Sequence, residues 1–194
     1  MRCPYCRTPL TEHSPECPAC RLTLDRAATL LGPIPRMLPG IGDLAGLLRT
    51  GDKKRIRRAI TRIEWNFPQV HFHLLVHSFS AEHPFELNVF WFFNSGGISG
   101  EHEKGGKNHT ILLAIDPDQA KAALMVGYGL EPFVSSAAID QILQQAGPDL
   151  ATGNWTAATI RVIEATERLL ESSSISVAEG FGLSPFVSLP PRDF

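Results

Sequence analysis

A chain of 194 residues, 43% hydrophobic and 20% charged, has room for one ordinary domain and a small appendage, and its composition excludes a disordered polymer. A net charge of −2 excludes the global basic field that draws a whole protein to nucleic acid. No apolar run approaches the roughly 18–20 residues that span a bilayer. No signal-peptide core follows Met1 either, so the expectation is a cytoplasmic protein.

The first twenty residues hold all four cysteines, as the pairs Cys3–Cys6 and Cys17–Cys20. Each CxxC turn aims two sulfurs at one point, and two turns close a four-thiolate shell. A closed shell has no coordination position for substrate, so the expected cofactor is a structural zinc held by Cys3, Cys6, Cys17 and Cys20 in a ribbon over residues 1–24. A reducing cytosol keeps such thiolates from forming disulfides. The competing reading is a pair of redox motifs, but an isolated redox CxxC has no reason to recur so soon. His13, between the pairs, is either a replacement ligand or a solvated loop residue. A ribbon this small buries too little without its metal, which should supply its folding energy.

Residues 25–51 carry Pro33, Pro35 and Pro39 and read as a linker, yet Leu30, Leu31, Ile34, Leu44, Leu47 and Leu48 are too apolar for water. The segment is expected to dock on the main domain or on a partner, with short helices. From Asp52 the pattern is regular. Ile56, Ile60, Ile63 and Phe67 form one stripe of an amphipathic helix ended by Pro68. Six of the 18 basic residues (Lys53, Lys54, Arg55, Arg57, Arg58, Arg62) occupy its other sides, with Trp65 as the neighbouring aromatic. That surface reads as a solvated face or as a contact for phosphate or RNA.

Residues 70–77 alternate as a strand, with Val70, Phe72, Leu74 and Val76 on one face and His71, His73, Leu75 and His77 on the other. His71 and His73 have the spacing of metal ligands, with His77, His102, His109 or Asp116 as a third. The alternative is imidazoles packed under helices. Pro84 to Asn94, rich in phenylalanine, reads as a helix from its length and from Pro84 near its first turn. A glycine-rich loop runs to His109 and lacks the lysine-ending signature of a P-loop.

Thr110 to Ile115 reads as a strand buried on both faces, Asp116 to Gln119 as a turn, and Lys121 to Val126 as the antiparallel return. Asp116, at the exit of a buried strand, is the candidate catalytic residue, and it can equally cap its own turn with Asp118. Gly127 and Gly129 read as a phosphate nest or as a strand exit with positive φ. Two helices close the domain, one from about Ser135 to Gln145, stopped by Gly147-Pro148, and one opened by Asn154 as N-cap. The order α-β-α-β-β-α-α predicts an α/β fold, a three-layer α/β/α sandwich with a mixed sheet. The chain from Ser172 reads as a tail with Phe181, Phe186 and Phe194 as contact points. No serine sits in a nucleophile elbow.

Ile111 to Pro132 resembles the centre of a TPM domain. The carrying features are a buried strand ending in an acidic turn, a return strand, and the signature Val126-Gly127-Tyr128-Gly129-Leu130-Glu131. Gly153-Asn154-Trp155 is similar to the family's turn before its last helix, and the resemblance covers roughly Asp52 to Glu171. It implies a phosphatase-like activity and calcium binding. Where family members carry an acidic Asp-Asn or Asn-Gly element, this chain has Lys107-Asn108-His109, leaving Glu101 and Glu103 as the acidic groups for any calcium. Three functions follow as expectations: an interaction or adaptor protein with a protein partner, a metal-assisted phosphatase, and a nucleic-acid binder acting through ribbon and basic helix.

Overall fold

A computed structural model describes residues 2–11, 14–34, 40–97 and 106–180. His13, Glu101, His102, Glu103 and the tail phenylalanines lie outside the described residues. The elements run α1 (Leu24–Leu31), β1 (Ile41–Asp43), α2 (Thr50–Asn66), β2 (His71–Val76), α3 (Phe85–Ser95), a 3-10 turn (Gly106–His109), β3 (Thr110–Asp116), β4 (Lys121–Val126), α4 (Ser136–Ala151) and α5 (Trp155–Gly180).

The sheet has the order β1-β2-β3-β4. β1 and β3 both run parallel to β2, while β4 returns antiparallel to β3, with Leu113 opposite Leu124. The mixed sheet and its layers are as the pattern of elements predicts. Phe72, Leu74 and Val76 of β2 join Ile111, Leu113 and Ile115 of β3 in a core shared with Ile56, Ile60 and Ile63 of α2, Ile142 and Ala146 of α4, and Val162 and Ile163 of α5. Leu75, Leu112 and Ala114 face the other way, onto Phe85, Val89, Phe92 and Phe93 of α3. All seven residues of β3 are buried. That two-sided burial requires a strand without polar alternation, which is how it reads in the sequence.

Three features depart from expectation. β1 lies in the stretch read as linker, where three residues between glycine-rich turns show no period. Asp43 anchors its exit: its carboxylate accepts from the amides of Leu47 and Leu48 at 3.0 and 3.1 Å and pairs with Lys53 at 2.8 Å. Second, α4 does not stop at Gly147-Pro148 but runs to Ala151. Pro148 and Gln144, whose carbonyl loses its partner, are both exposed, so water can satisfy that oxygen, while Ala146 and Leu150 hold the helix down from the other side. Gly153, at φ +71°, then reverses the chain, and Asn154 caps α5 by accepting from the Ala157 amide at 3.3 Å. Third, α5 continues well beyond Glu171, and the Ser173 hydroxyl donates to the Phe133 carbonyl at 3.0 Å.

Glu167 of α5 is buried and fixes α2. It accepts from Arg62 Nε at 3.0 Å and from Asn66 Nδ2 at 2.7 Å. The paired charges and their two-point geometry make this contact specific for one register of the helices.

Leu113, 1% exposed at the centre of the sheet, generates a direct test. Leu113→Asp would place a carboxylate among Leu74, Leu124 and Ile142 without a partner. We expect insoluble protein, or loss of the cooperative melting transition by circular dichroism. A soluble variant with unchanged melting would contradict the placement of β3.

Candidate metal centre and the TPM signature

Two tight turns build the cysteine cluster. The Cys3 amide donates to the Thr8 carbonyl and the Arg7 amide to the Cys3 carbonyl, both at 2.9 Å. The second turn repeats the pattern, with Cys17 to Leu22 at 3.1 Å and Arg21 to Cys17 at 2.8 Å. Arg7 and Arg21 each follow the second cysteine of a pair and take positive φ, 61° and 55°. A side chain in that region costs about 1 kcal/mol or more, and the turn repays it by aiming both sulfurs inward.

The four sulfurs lie within 4.8 Å of one another, with Cys3 to Cys20 at 3.6 Å and Cys6 to Cys17 at 3.5 Å. A tetrahedron with metal–sulfur bonds of ~2.3 Å has edges of about 3.8 Å. The cluster therefore fits a four-coordinate metal ion, and its separations are far from the ~2.05 Å of a disulfide. Among the described residues it is the one group of three or more histidine, cysteine or acidic side chains that converges this way. The four thiols differ in their environments. The Thr8 hydroxyl and amide lower the Cys6 thiol to about 6, while burial pushes Cys20 up to about 12 and raises Cys3.

The cluster is packed into the fold. Cys3, Cys17, Leu22 and Ala27 of α1 form a small core with Leu87 of α3, flanked by Phe90 and Trp91. Trp91 Nε1 donates to the Gly32 carbonyl at 2.8 Å, Arg26 donates to the Cys20 carbonyl at 2.8 Å, and Arg7 pairs with Glu86. The expected docking of the apolar segment on the main domain is thus made by α1 on α3.

Asp116, the candidate catalytic residue, is fully buried. Its Oδ1 accepts from the amides of Asp118 and Gln119 at 3.0 and 3.1 Å. Its Oδ2 accepts from the Phe79 amide at 3.2 Å and from Gln119 Nε2 at 2.8 Å. Both oxygens are occupied by the chain, and the carboxylate ties the β3–β4 turn to the segment after β2.

Among the described residues, neither the histidines of β2 nor His77, which follows the strand, belongs to a group of three or more converging ligands. His73 is buried, and its Nδ1 accepts from the Gly40 amide at 3.0 Å, which fixes the approach to β1. Its Nε2 is buried without a partner. Burial first, and then the neighbouring His71 charge, lower its pKa to about 4. His77 packs edge-on against Phe79 with ring centroids 4.9 Å apart; burial lowers its pKa, against the pull of Asp116.

The signature glycines have a packing role that sequence reasoning missed. Neither Gly127 nor Gly129 has positive φ. Instead, the Gly127 amide donates to the Thr110 carbonyl and the Gly129 amide to the Asn108 carbonyl, both at 2.8 Å. A Cβ on Gly129 would lie 2.8 Å from His109 Nε2 and 2.9 Å from the Asn108 oxygen. The signature is thus the seat on which Asn108–His109 rests. Beside it, a cleft of about 230 Å³ lies between the first cysteine turn and the end of β4. Phe90, Phe93 and Met125 contribute apolar surface, and Arg2, Tyr128 and Glu131 are among its polar or exposed members.

Fold and site together define a layered α/β domain that carries a four-cysteine cluster able to hold a metal ion. The chain belongs to the TPM domain family, whose sequence profile matches residues 41–169 and so includes β1. Three solved structures share the fold. One is the N-terminal domain of a protein from P. gingivalis (21% identity, TM-score 0.53, covering 69% of this chain and 82% of that one). Another is the N-terminal domain of a Corynebacterium glutamicum protein (16%, 0.53, 96% and 97%). The third is the BA42 protein of Bizionia argentinensis (17%, 0.55, 67% and 86%). No curated protein matches the sequence. Among the described residues, no helix is long and apolar enough to cross a membrane.

Two outcomes are expected. Gly129→Ala should cost roughly 1–3 kcal/mol of stability, because the clash is with backbone as well as side chain. Gly51→Ala, with nothing within 4 Å, should not destabilise; equal melting temperatures for the two variants would contradict this account. His73 gives a pH test. Its folded pKa lies below the unfolded value near 6.5, so the unfolded chain binds more protons between the two. Stability should therefore fall by up to about 3 kcal/mol as pH drops from 6.5 to 4. Denaturant titrations of His73→Gln should show that slope reduced; an unchanged slope would remove His73 as its cause.

Proposed function

We propose that this protein is an adaptor of the TPM class, stapled by a structural zinc and working in the reducing cytoplasm. The observation that carries the reading is the closed four-sulfur shell seated against α3. Four ligands leave no open position for a substrate, so the metal's contribution is to hold a surface. Zinc suits an all-thiolate tetrahedron better than the oxygen-seeking calcium or magnesium. When bound, zinc supplies the cross-links that fix the two cysteine turns and, through Cys3 and Cys17, α1 and α3. The residues of the chain do the recognition. The cleft between Arg2 and Tyr128 offers an apolar floor with a cation and a carboxylate nearby, a match for an apolar side chain of a protein partner flanked by polar groups.

The phosphatase alternative asks a carboxylate to meet substrate or metal. Asp116 already accepts four hydrogen bonds inside the fold, and Asn108 and His109 supply no carboxylate nearby. The expected result is one zinc per chain by elemental analysis, lost in Cys17→Ser, with phosphomonoester turnover at background with or without millimolar calcium. A photo-crosslinker at Tyr128 should capture one specific protein, and Met125→Glu should abolish that capture. Calcium-dependent turnover lost in Asp116→Asn would overturn the adaptor reading in favour of the enzyme.

A further inference from the structure

The charge on α2 is out of proportion to the rest of the chain. The helix carries six cations and two carboxylates, a net +4 in a protein whose total is −2. Two of those cations have partners inside the fold: Lys53 with Asp43, and Arg62 with Glu164 and Glu167. Lys54, Arg55, Arg57 and Arg58 are exposed, and none of them has a carboxylate partner among the described residues. These four therefore repel one another with no carboxylate in contact among the described residues to offset it.

The second observation is independent of charge. Trp65 is 83% exposed, against 63% for Tyr128 and at most 55% for the other exposed large hydrophobics. At 100° per residue, Lys54, Arg58 and Trp65 fall on one ridge, with Arg57 along its flank. The ridge is about 16 Å long, from 1.5 Å of rise over its residues. It joins cations to one flat π surface in open water.

We propose that this ridge of α2 is a docking site for single-stranded nucleic acid, with the cations on successive phosphates and Trp65 stacked on one base. An unpaired strand is the form that offers both chemistries: a duplex presents phosphates but keeps its base faces stacked internally. A lipid surface is a poorer match. An amphipathic helix binds it by inserting an apolar face, and the apolar stripe of α2, Ile56, Ile60 and Ile63, is sealed in the core. An acidic polypeptide would satisfy the cations and leave the indole without a matching plane. The site is separate from the cysteine module. α2 lies on one face of the sheet, whereas α3 and the cysteine turns lie on the other. One flat ligand therefore does not engage ribbon and basic helix together, and failure of this site would leave the adaptor reading untouched.

The test uses the full-length, metal-loaded chain. Binding of fluorescein-labelled twelve-nucleotide oligouridine and oligothymidine is followed by anisotropy, with duplex DNA, polyglutamate and phosphatidylserine vesicles as competing arms. Three neutralised phosphates at a slope of about −0.7 each predict a loss of affinity of about 20-fold between 50 and 200 mM salt. Arg57→Glu with Arg58→Glu should abolish binding. Trp65→Ala should weaken it about tenfold without changing the salt slope, and Trp65→Phe should restore most of the loss. Unchanged melting temperatures would show that these surface variants fold. The proposal is overturned by absence of binding, by affinity indifferent to Trp65→Ala, or by duplex, polyglutamate or vesicles binding as tightly as the single strand.

Discussion

Helix α3 is apolar on two opposite sides, and much of the molecule is arranged to cover it. Phe85, Val89 and Phe92 face the sheet, whereas Leu87, Phe90 and Trp91 face outward. A helix with apolar residues all round must be buried all round. The sheet covers one side. The other is covered by the apolar face of α1 and by the two cysteine turns, which adopt positive φ at Arg7 and Arg21. The four clustered cysteines of that cover could hold a metal ion, and cross-links through it would substitute for a core too small to hold a fold.

The opposite side of the sheet obeys a different logic. α2, α4 and α5 share the larger core, and their register is set by polar clamps: Glu167 on Arg62 and Asn66, and Asp149 on Arg161 at 2.8 Å. Buried carboxylates such as Asp43, Glu167 and Asp116 each satisfy several donors, which is how a buried charge is tolerated. The same residue types that suggest catalysis in a sequence are here occupied in joining segments. The signature Gly129 likewise permits a close approach of backbones, with no ligand required to explain it.

Much of this was legible from residues alone. The stripe of α2 and the alternation of β2 are periodic signals of one buried face, the unbroken apolar run of β3 signals burial on both, and the structure places each accordingly. The paired CxxC spacing was legible because a local turn sets the geometry of each pair of sulfurs. Other features had no local signal. β1 is three residues long with a glycine at its buried centre, and its place is fixed by pairing with β2. The passage of α4 through Pro148 depends on which side of the helix faces water, something a sequence does not state. Asp116 admitted two readings for a similar reason. The exit of a buried strand suits a ligand-binding carboxylate and a loop-clamping one equally, and only the donors around it tell them apart.

The central proposal is that a metal-stapled cover protects the outer side of α3. Hydrogen exchange of the intact chain, followed by mass spectrometry with zinc bound and after chelation, tests it directly. Removing the metal should strip protection from the two cysteine turns and α1 and raise exchange in α3, while β2 and β3 keep theirs. Unchanged protection of α1 and the cysteine turns without metal, or simultaneous loss across β3, would contradict it.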